Sequence, residues 1–516
     1  MISLDGASLT LDALLAIAAH DEPVTISPAA RARIEASRAV VERAADGEAA
    51  VYGVNTGFGS LSDVKIPRES LAELQLNLLR SHAAGVGDPL PVPVVRAAMA
   101  LRANVLAKGY SGIRPSTLDL LVAMLNAGIH PVVPARGSVG ASGDLAPLAH
   151  LALVLVGEGE VLHAPECRAA RDVAATATRI RGGDALRAAG LAPAALEAKE
   201  GLALINGTQV STAALAMAVA GATRLARAAD VAAALSIDAL RGSIHPFEAR
   251  IHDARPFPGQ RASAANIEAL LRNSPINRSH AGCGKVQDAY ALRCAAQVHG
   301  AARDAFDFAR RTVEIEANAA TDNPMVFADT GDMVSGGNFH GAPVAIAADL
   351  VSMAVVQLAT ISERRADRLL TAPQSGLPAF LIEHSGLHSG LMIAQVSAAA
   401  LASELKSLAH PAGVDTIPTS AGKEDHVSMS MTAGLKAMRS VELATRVIAI
   451  EVLCACQGID LLAPLVTSDA LEAVHRLVRT RVPHLSADRP PSPDIEAIAA
   501  LIATDDLERA AGVTIR

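Results

Sequence analysis

Apolar residues form long stretches with little proline or glycine in the second part of this 516-residue chain. Stretches of this kind predict helices. We expect them over residues 196–240, 284–317, 342–370, 386–409 and 430–463. Two segments within them, 342–359 and 441–456, are apolar on nearly every face, which is typical of helices in the centre of a bundle. The pattern therefore predicts a mainly α fold, a bundle of long helices.

Residues 1–195 show a different pattern, because glycine and proline interrupt their short helical stretches. We expect a loop-rich N-terminal domain over 1–195 and a helical domain over 196–516, which ends in a short helical tail. Strand patterns are few. Segments 325–327 and 333–335 flank the turn-forming residues 329–332 and predict a short hairpin.

Composition narrows the range of possible functions. Hydrophobic residues make up 51% of the chain, but aromatic residues only 2%, and the net charge is -8. A mildly acidic chain with few rings is poorly suited to nucleic acid or to anionic membranes. No signal peptide and no apolar run of about 20 residues stands out. We expect a cytoplasmic protein that binds a small molecule and requires no metal or nucleotide.

The segment 137–148 has a glycine at every third position at its start. It matches neither of the usual phosphate-binding glycine motifs. Its small tripeptide, Ala141-Ser142-Gly143, permits a backbone cyclisation, in which the amide nitrogen of Gly143 attacks the carbonyl carbon of Ala141. Loss of water from Ser142 then gives 4-methylidene-imidazol-5-one (MIO), an electrophile made from the backbone.

Segment 141–148, ASGDLAPL, resembles the signature of the aromatic amino acid ammonia-lyases and their related aminomutases. The resemblance extends over nearly the whole chain. It implies a helical bundle of the ammonia-lyase and fumarase type and an MIO group that forms autocatalytically from Ala141, Ser142 and Gly143, with support from Asp144. It also implies a homotetramer whose active sites combine residues of several chains.

The chain has three tyrosines, and each lies in a segment that resembles a family motif. The resemblance assigns the catalytic base to Tyr52, and Tyr110 lies in a motif that is usually structural. On a continuous helix, Gln287, Tyr290 and Arg293 would share one face. We expect Tyr290 to be catalytic, Arg293 to hold the substrate carboxylate and Gln287 to support the MIO group. A core ring is the alternative for Tyr290.

Further site residues follow from the resemblance. Asn206 and Phe339 match residues beside the prosthetic group, Glu424 matches one near the substrate side chain, and Met392 matches an apolar wall. The pair Asn206-Gly207 falls inside a predicted helix, where it is locally unfavourable. This placement favours a special role for Asn206.

The pair Ser81-His82 resembles the histidine-type members of the family. An imidazole substrate has one donor and one acceptor nitrogen, and His82 and Glu424 are able to satisfy both. We therefore expect elimination of ammonia from L-histidine to give trans-urocanate. Lys423 and Ala289 depart from the histidine-type pattern.

Alternatives remain. The chain would also suit a 2,3-aminomutase or a lyase for another aromatic or histidine-derived amino acid. A non-catalytic scaffold is disfavoured because Tyr52, Tyr290, Arg293 and the tripeptide are intact. A fumarase-type enzyme is disfavoured because its Gly-Ser-Ser-x-Met-Pro signature is not found.

Overall fold

The computed structural model describes residues 1–164, 173, 177–284 and 286–516. Helices dominate it, as predicted. In chain order the α-helices are Leu11–Ala19, Pro28–Asp46, Leu71–His82, Val92–Ala107, Pro115–Asn126, Leu145–Leu155, Gly182–Ala188, Glu200–Ile205, Gln209–Ala239, Ala249–Asp253, Pro258–Leu271, Pro275–Arg278, Tyr290–Arg293, Ala295–Ala317, Ala342–Leu370, Ala372–Ser375, Met392–Leu408, Ser430–Asp460, Asp469–Arg479, Ser492–Ala503 and Asp506–Ala510. Short 3-10 helices span Gly59–Leu61, Arg68–Ser70, His245–Phe247, Ala379–Leu381 and Ser420–Gly422.

The strands are short and form small separate sheets. They are Ile2–Leu4, Val24–Ile26, Val86–Pro89, His130–Pro131, Pro134–Arg136, Glu160–His163, Thr178–Arg181, Met325–Phe327 and Asp332–Val334. The last two pair antiparallel with Val326 opposite Met333, so the predicted hairpin is confirmed.

Two predicted helices begin later than expected. The residues before Tyr290 are not helical, because Asp288 accepts a hydrogen bond at 2.7 Å from the backbone nitrogen of Ser243 and is held in a loop. The helix expected from residue 386 begins at Met392. Gly390, just before it, has a φ of +56°, a left-handed conformation that interrupts a helix.

The chain folds into two compact units, each built from separated segments. The first comprises Met1–Met217, Arg310–Ala348 and Pro411–Leu435, and the second comprises Ala218–Ala309, Asp349–His410 and Lys436–Arg516. A single domain boundary near residue 195 was expected from the sequence. That boundary stays a prediction, since the units are discontinuous along the chain.

The core of the first unit includes helix Val92–Ala107, which is buried along almost its whole length. Its two polar residues near the C-terminal end contact neighbouring backbone. Arg102 donates to the carbonyl oxygens of Asn206 and Ala203, and Asn104 donates to that of Ala317. Because Arg102 holds the backbone at Asn206 and three residues before it, the helix helps to position the candidate site.

Small residues let helices pack closely in the second unit. A Cβ atom at Gly221 would lie 2.8 Å from the side chain of Val441, and one at Gly458 would lie 3.2 Å from that of Ala239. The first distance is shorter than a normal Cβ contact, and the second is tighter than most such contacts. A core with few aromatic rings is therefore filled by close approach of helix backbones.

Helix Ala342–Leu370 is the one helix among the described residues that is long and apolar enough to span a membrane. Most of its apolar stretch is buried within the fold. This burial agrees with the interior helix predicted from its all-round apolar sequence.

Candidate active site

The tripeptide Ala141-Ser142-Gly143 lies in a loop that is anchored on its N-terminal side. The carbonyl oxygen of Gly140 accepts hydrogen bonds from the Ser428 hydroxyl at 2.8 Å and from the Gly341 backbone nitrogen at 3.1 Å. A Cβ atom at Gly140 would lie 2.3 Å from the hydroxyls of Ser428 and Ser430. These contacts leave room only for glycine at position 140.

The C-terminal side of the tripeptide lies against the break between two helices. Asp144 donates its backbone N–H to the carbonyl oxygen of Gly207 at 2.7 Å. Gly143 has a φ of +72°, and a Cβ atom there would lie 2.2 Å from the same oxygen. The bare backbone at Gly143 is what a close cyclising attack requires. The residues present therefore fit the MIO group.

The sequence predicted that the Asn206-Gly207 pair lies inside a helix. In the structure the pair lies between two helices. Helix Glu200–Ile205 ends just before Asn206, and the next helix begins at Gln209. Gly207 has a φ of +148°, which favours glycine. The helix break therefore brings the backbone of Gly207 against Gly143.

Asp144 is fully buried and stabilises the loop from behind. Its Oδ1 accepts from the Ser138 hydroxyl at 2.8 Å, and its Oδ2 accepts from the backbone nitrogen and the hydroxyl of Ser211 at 2.7 and 2.9 Å. Burial raises the pKa of Asp144, although these hydrogen bonds oppose the rise. The geometry gives Asp144 a role in holding the loop.

Glu424 faces the central residue of the tripeptide. The hydroxyl of Ser142 donates to Glu424 Oε1 at 2.8 Å, and the hydroxyl of Thr419 donates to Glu424 Oε2. Backbone hydrogen bonds join Thr419 and Glu424 in both directions. Both carboxylate oxygens therefore have fixed directions.

His82 is held in one tautomer. Its Nδ1 lies 2.9 Å from the carbonyl oxygen of Leu78, which only accepts, so Nδ1 carries the hydrogen. Burial lowers the pKa of His82, while Leu78 and Glu424 raise it by less. The neutral ring then leaves Nε2 as an acceptor.

Tyr52 is half-buried beside Phe58, and the two rings meet edge to face at a centroid distance of 6.3 Å. Burial raises the pKa of the Tyr52 phenol, and the negative charges of Glu424 and Asp322 raise it further, although a hydrogen bond from the Gly59 backbone lowers it. The surroundings of Tyr52 in this chain therefore favour the neutral phenol.

Asn206 is oriented by a buried network. Its Nδ2 donates to Asp322 Oδ1 at 3.3 Å and to the carbonyl oxygen of Asn323 at 3.0 Å. Its Oδ1 is buried and has no hydrogen-bond partner in the described structure. Lys199 completes the network through Asp322. The side chain of Asn206 is therefore set to accept one more hydrogen bond.

A cavity of about 790 Å³ in the first unit is lined by Ser142, the central residue of the tripeptide. Six of the residues predicted from the sequence line it, namely Tyr52, His82, Ser142, Asn206, Phe339 and Glu424. Other lining residues were not foreseen as parts of the site, including Phe58, Asp63, Asn323 and Ser335. Phenol, imidazole, hydroxyl and carboxylate groups thus face one space.

Four predicted site residues belong to the second unit and do not line this cavity. Tyr290 is 71% exposed, and the Arg293 guanidinium carbon lies 4.6 Å from the centre of its ring. Gln287 precedes helix Tyr290–Arg293, so the expected continuous helical face with Gln287 is wrong. Met392 is the first residue of helix Met392–Leu408.

Asp144 was expected from the resemblance, but sequence reasoning missed other residues that hold the site residues in place. Lys199 and Asp322 orient Asn206, and Thr419 orients Glu424. A weak signal existed in the polar run 321–323, which stands before Pro324 between apolar stretches. No local pattern indicated that Lys199, more than 100 residues earlier, would pair with it.

A mainly α chain whose glycine-bounded Ala-Ser-Gly loop faces a phenol, an imidazole and a carboxylate fits the carbon–nitrogen lyases that make their electrophile from the backbone. Comparison with known proteins agrees. The model of the aromatic amino acid lyase family matches residues 9–480. The chain belongs to this family and is a carbon–nitrogen lyase.

Individual relatives cover nearly the whole chain. It is 56% identical to histidine ammonia-lyase from Anaeromyxobacter sp. (strain K), over 98% of this chain and 99% of that protein. The crystal structure of histidine ammonia-lyase from Trypanosoma cruzi has a TM-score of 0.89 at 44% identity and covers 99% of this chain and 95% of its own. Tyrosine aminomutase from Streptomyces globisporus has a TM-score of 0.93 at 37% identity over 100% of both chains.

Proposed function

We propose that the protein eliminates ammonia from L-histidine to give trans-urocanate. The observation that carries this proposal is that His82 and Glu424 both line the cavity that Ser142 also lines. The names of the relatives, histidine ammonia-lyases from several bacteria, support the same substrate.

The reaction needs an electrophile, and the proposal includes autocatalytic formation of MIO from Ala141, Ser142 and Gly143. When formed, the MIO group supplies an alkene carbon that captures the substrate amine and makes it a better leaving group. The close contact of Gly143 with Gly207 supports this cyclisation, because it leaves no space for a side chain on the residue whose nitrogen attacks.

The side chains of this chain then bind and orient the substrate. His82 accepts from the imidazole N–H through Nε2, and Glu424 interacts with the other ring nitrogen. Asn206 offers its unpartnered Oδ1 to the substrate ammonium or to a polar group beside it. Phe339 adds an apolar wall to the cavity.

Tyr52 is the proposed base for the β-proton. Because its surroundings in the chain raise the pKa of the phenol, a cation is needed to favour the phenolate. Lys423 lines the same cavity and is exposed, so its charge is available there. This assigns a use to a residue that departs from the histidine-type pattern.

We further propose a cytoplasmic homotetramer with shared active sites. Exposed Tyr290 with Arg293 over its ring presents a phenol and a guanidinium on the protein surface. In an assembly, Tyr290 and Arg293, together with Gln287 and Met392, are proposed to complete the site of a neighbouring subunit. There Arg293 would hold the substrate carboxylate in a bidentate ion pair.

The test is an assay of the purified protein against L-histidine, L-phenylalanine and L-tyrosine, with the products identified by NMR. We expect ammonia and trans-urocanate from L-histidine and far slower turnover of the other two. Preferred turnover of phenylalanine or tyrosine would contradict the proposed substrate.

A 2,3-aminomutase is the second candidate. The solved tyrosine aminomutase matches the chain over its full length at a TM-score of 0.93, so the fold serves both reactions. The two outcomes differ in product, because an aminomutase returns the amine to the β-carbon. A β-amino acid from L-histidine would favour this candidate.

A further inference from the structure

The Ser142 hydroxyl lies in a fixed arrangement with one carboxyl group. Its oxygen is 2.8 Å from Glu424 Oε1, within the 2.6–3.2 Å or so over which a general acid or base transfers a proton. Thr419 occupies the other oxygen of the carboxyl group and pairs with the Glu424 backbone. The carboxyl group is therefore directed at the hydroxyl that must leave when MIO forms.

Asp144, the carboxylate next to the tripeptide, is directed elsewhere. Its oxygens accept hydrogen bonds from Ser138 and Ser211, on the buried side of the loop. Of these two carboxyl groups, Glu424 is the one hydrogen-bonded to the Ser142 hydroxyl.

We propose that Glu424 is the general acid that expels water from Ser142 while the prosthetic group forms. This inference rests on the proposed function, since it presupposes that MIO forms. It gives Glu424 two successive tasks. In its protonated form, the carboxyl group first donates from Oε1 to Ser142 Oγ along the same 2.8 Å contact that the ionised carboxylate accepts. After the Ser142 oxygen has left, the carboxyl group faces the substrate.

The chemistry balances without an oxidant. The Gly143 nitrogen bonds to the Ala141 carbonyl carbon, and the carbonyl oxygen leaves as the first water with the amide hydrogens of Gly143 and Ser142. In the second step the Cα–H bond of Ser142 breaks, and its electron pair forms the Cα–Cβ double bond. The Cβ–Oγ bond breaks as Glu424 protonates Oγ, which leaves as the second water. The proton released from Cα restores the Glu424 carboxyl group.

A general acid is needed because the hydroxyl of Ser142 is a poor leaving group. Hydroxide leaves poorly, whereas water leaves well, and a positioned general acid typically contributes about 100-fold or more to such a step. Removing the acid is therefore expected to slow the second dehydration while leaving the first cyclisation possible. The chain would then accumulate in a form that has lost one water.

The experiment follows maturation by intact mass after a short pulse of cell-free synthesis. We compare the wild-type chain with Glu424→Gln and with Asp425→Asn, which makes the same charge change at an exposed neighbour. Wild type and Asp425→Asn are expected to lose two waters. Glu424→Gln is expected to stop at one water, with the second loss slowed by about 100-fold or more.

A second variant covers the case in which Glu424→Gln does not fold, as judged by circular dichroism. Thr419→Val keeps the carboxyl group but removes one of its anchoring hydrogen bonds, and we expect a slowing of about 2- to 10-fold. If Glu424→Gln folds and loses both waters at the wild-type rate, this inference is overturned but the proposed function is not. If Glu424→Gln is unfolded, maturation of Thr419→Val at the wild-type rate has the same meaning. A wild-type chain that loses no water would contradict the proposed function as well.

Discussion

Lys199 Nζ lies 2.9 Å from Asp322 Oδ2, and both side chains are completely buried. The other oxygen of Asp322 accepts from Asn206. The ion pair thus has two effects: it compensates two charges in the core, and it sets the direction of the Asn206 amide.

Replacing Lys199 with Met is expected to destabilise the protein by about 3 kcal/mol or more, because Asp322 becomes a buried charge without its partner. The double variant Lys199→Met with Asp322→Asn is expected to recover part of that loss. Chemical denaturation measures both, with Lys406→Met as the exposed control. Equal effects of the buried and exposed substitutions would contradict the prediction.

Gly143→Ala is expected to block maturation. The added Cβ atom would lie 2.2 Å from the carbonyl oxygen of Gly207, and the residue has a φ of +72°. Intact mass is therefore expected to show no loss of water, and activity is expected to disappear. Gly336→Ala is the control, since its Cβ atom meets open space. Loss of two waters in Gly143→Ala would refute the argument.

His82→Phe is expected to lower kcat/KM for L-histidine by about 10- to 100-fold, the cost of one lost hydrogen bond with a polar partner left unpaired. The ratio of kcat/KM for phenylalanine to that for histidine should rise in the same variant. His163→Phe, at an exposed strand position, should change neither value. An unchanged ratio in His82→Phe would show that His82 does not select the substrate.

Tyr52→Phe is expected to lower kcat by about 100- to 10,000-fold, the usual contribution of a positioned base. Because burial raises the pKa of Tyr52, we expect the wild-type rate to rise into the alkaline range as the phenolate forms, and the variant to lack that rise. Tyr110→Phe is the control. Normal maturation by intact mass separates lost catalysis from a lost prosthetic group.

His130 is expected to make stability depend on pH. Burial, and then the charge of Arg96, lower its pKa to about 4. His130 binds a proton more readily in the unfolded chain than in the folded one. The stability that the neutral ring contributes is therefore fully present above the unfolded pKa of about 6.5 and is lost as the pH falls to about 4. The loss amounts to at most about 3 kcal/mol. The difference in unfolding free energy between wild type and His130→Leu should therefore change over that range. A pH-independent difference would contradict this assignment.

Local patterns predicted most of the fold. Long runs without proline or glycine indicated the helices, and the turn at residues 329–332 indicated the hairpin, because both signals are local in sequence. The predicted helix starts at 284 and 386 were wrong, since long-range contacts such as that of Asp288 with Ser243 hold those residues in loops.

The candidate site was predictable only where a motif carries the chemistry. Tyr52, His82, Ser142 and Glu424 come from separate segments, and the structure brings them to one cavity as the resemblance implied. Apart from Asp144, the residues that position them were not predictable. The pairing of Lys199 with Asp322 spans more than 100 positions and leaves no periodic signal in the sequence.

The most direct test of the proposed reaction is the proton NMR spectrum of L-histidine incubated with the purified protein. We predict that histidine is replaced by trans-urocanate, with an equal amount of ammonia. Unchanged histidine, or a β-amino acid in place of urocanate, would contradict the central claim.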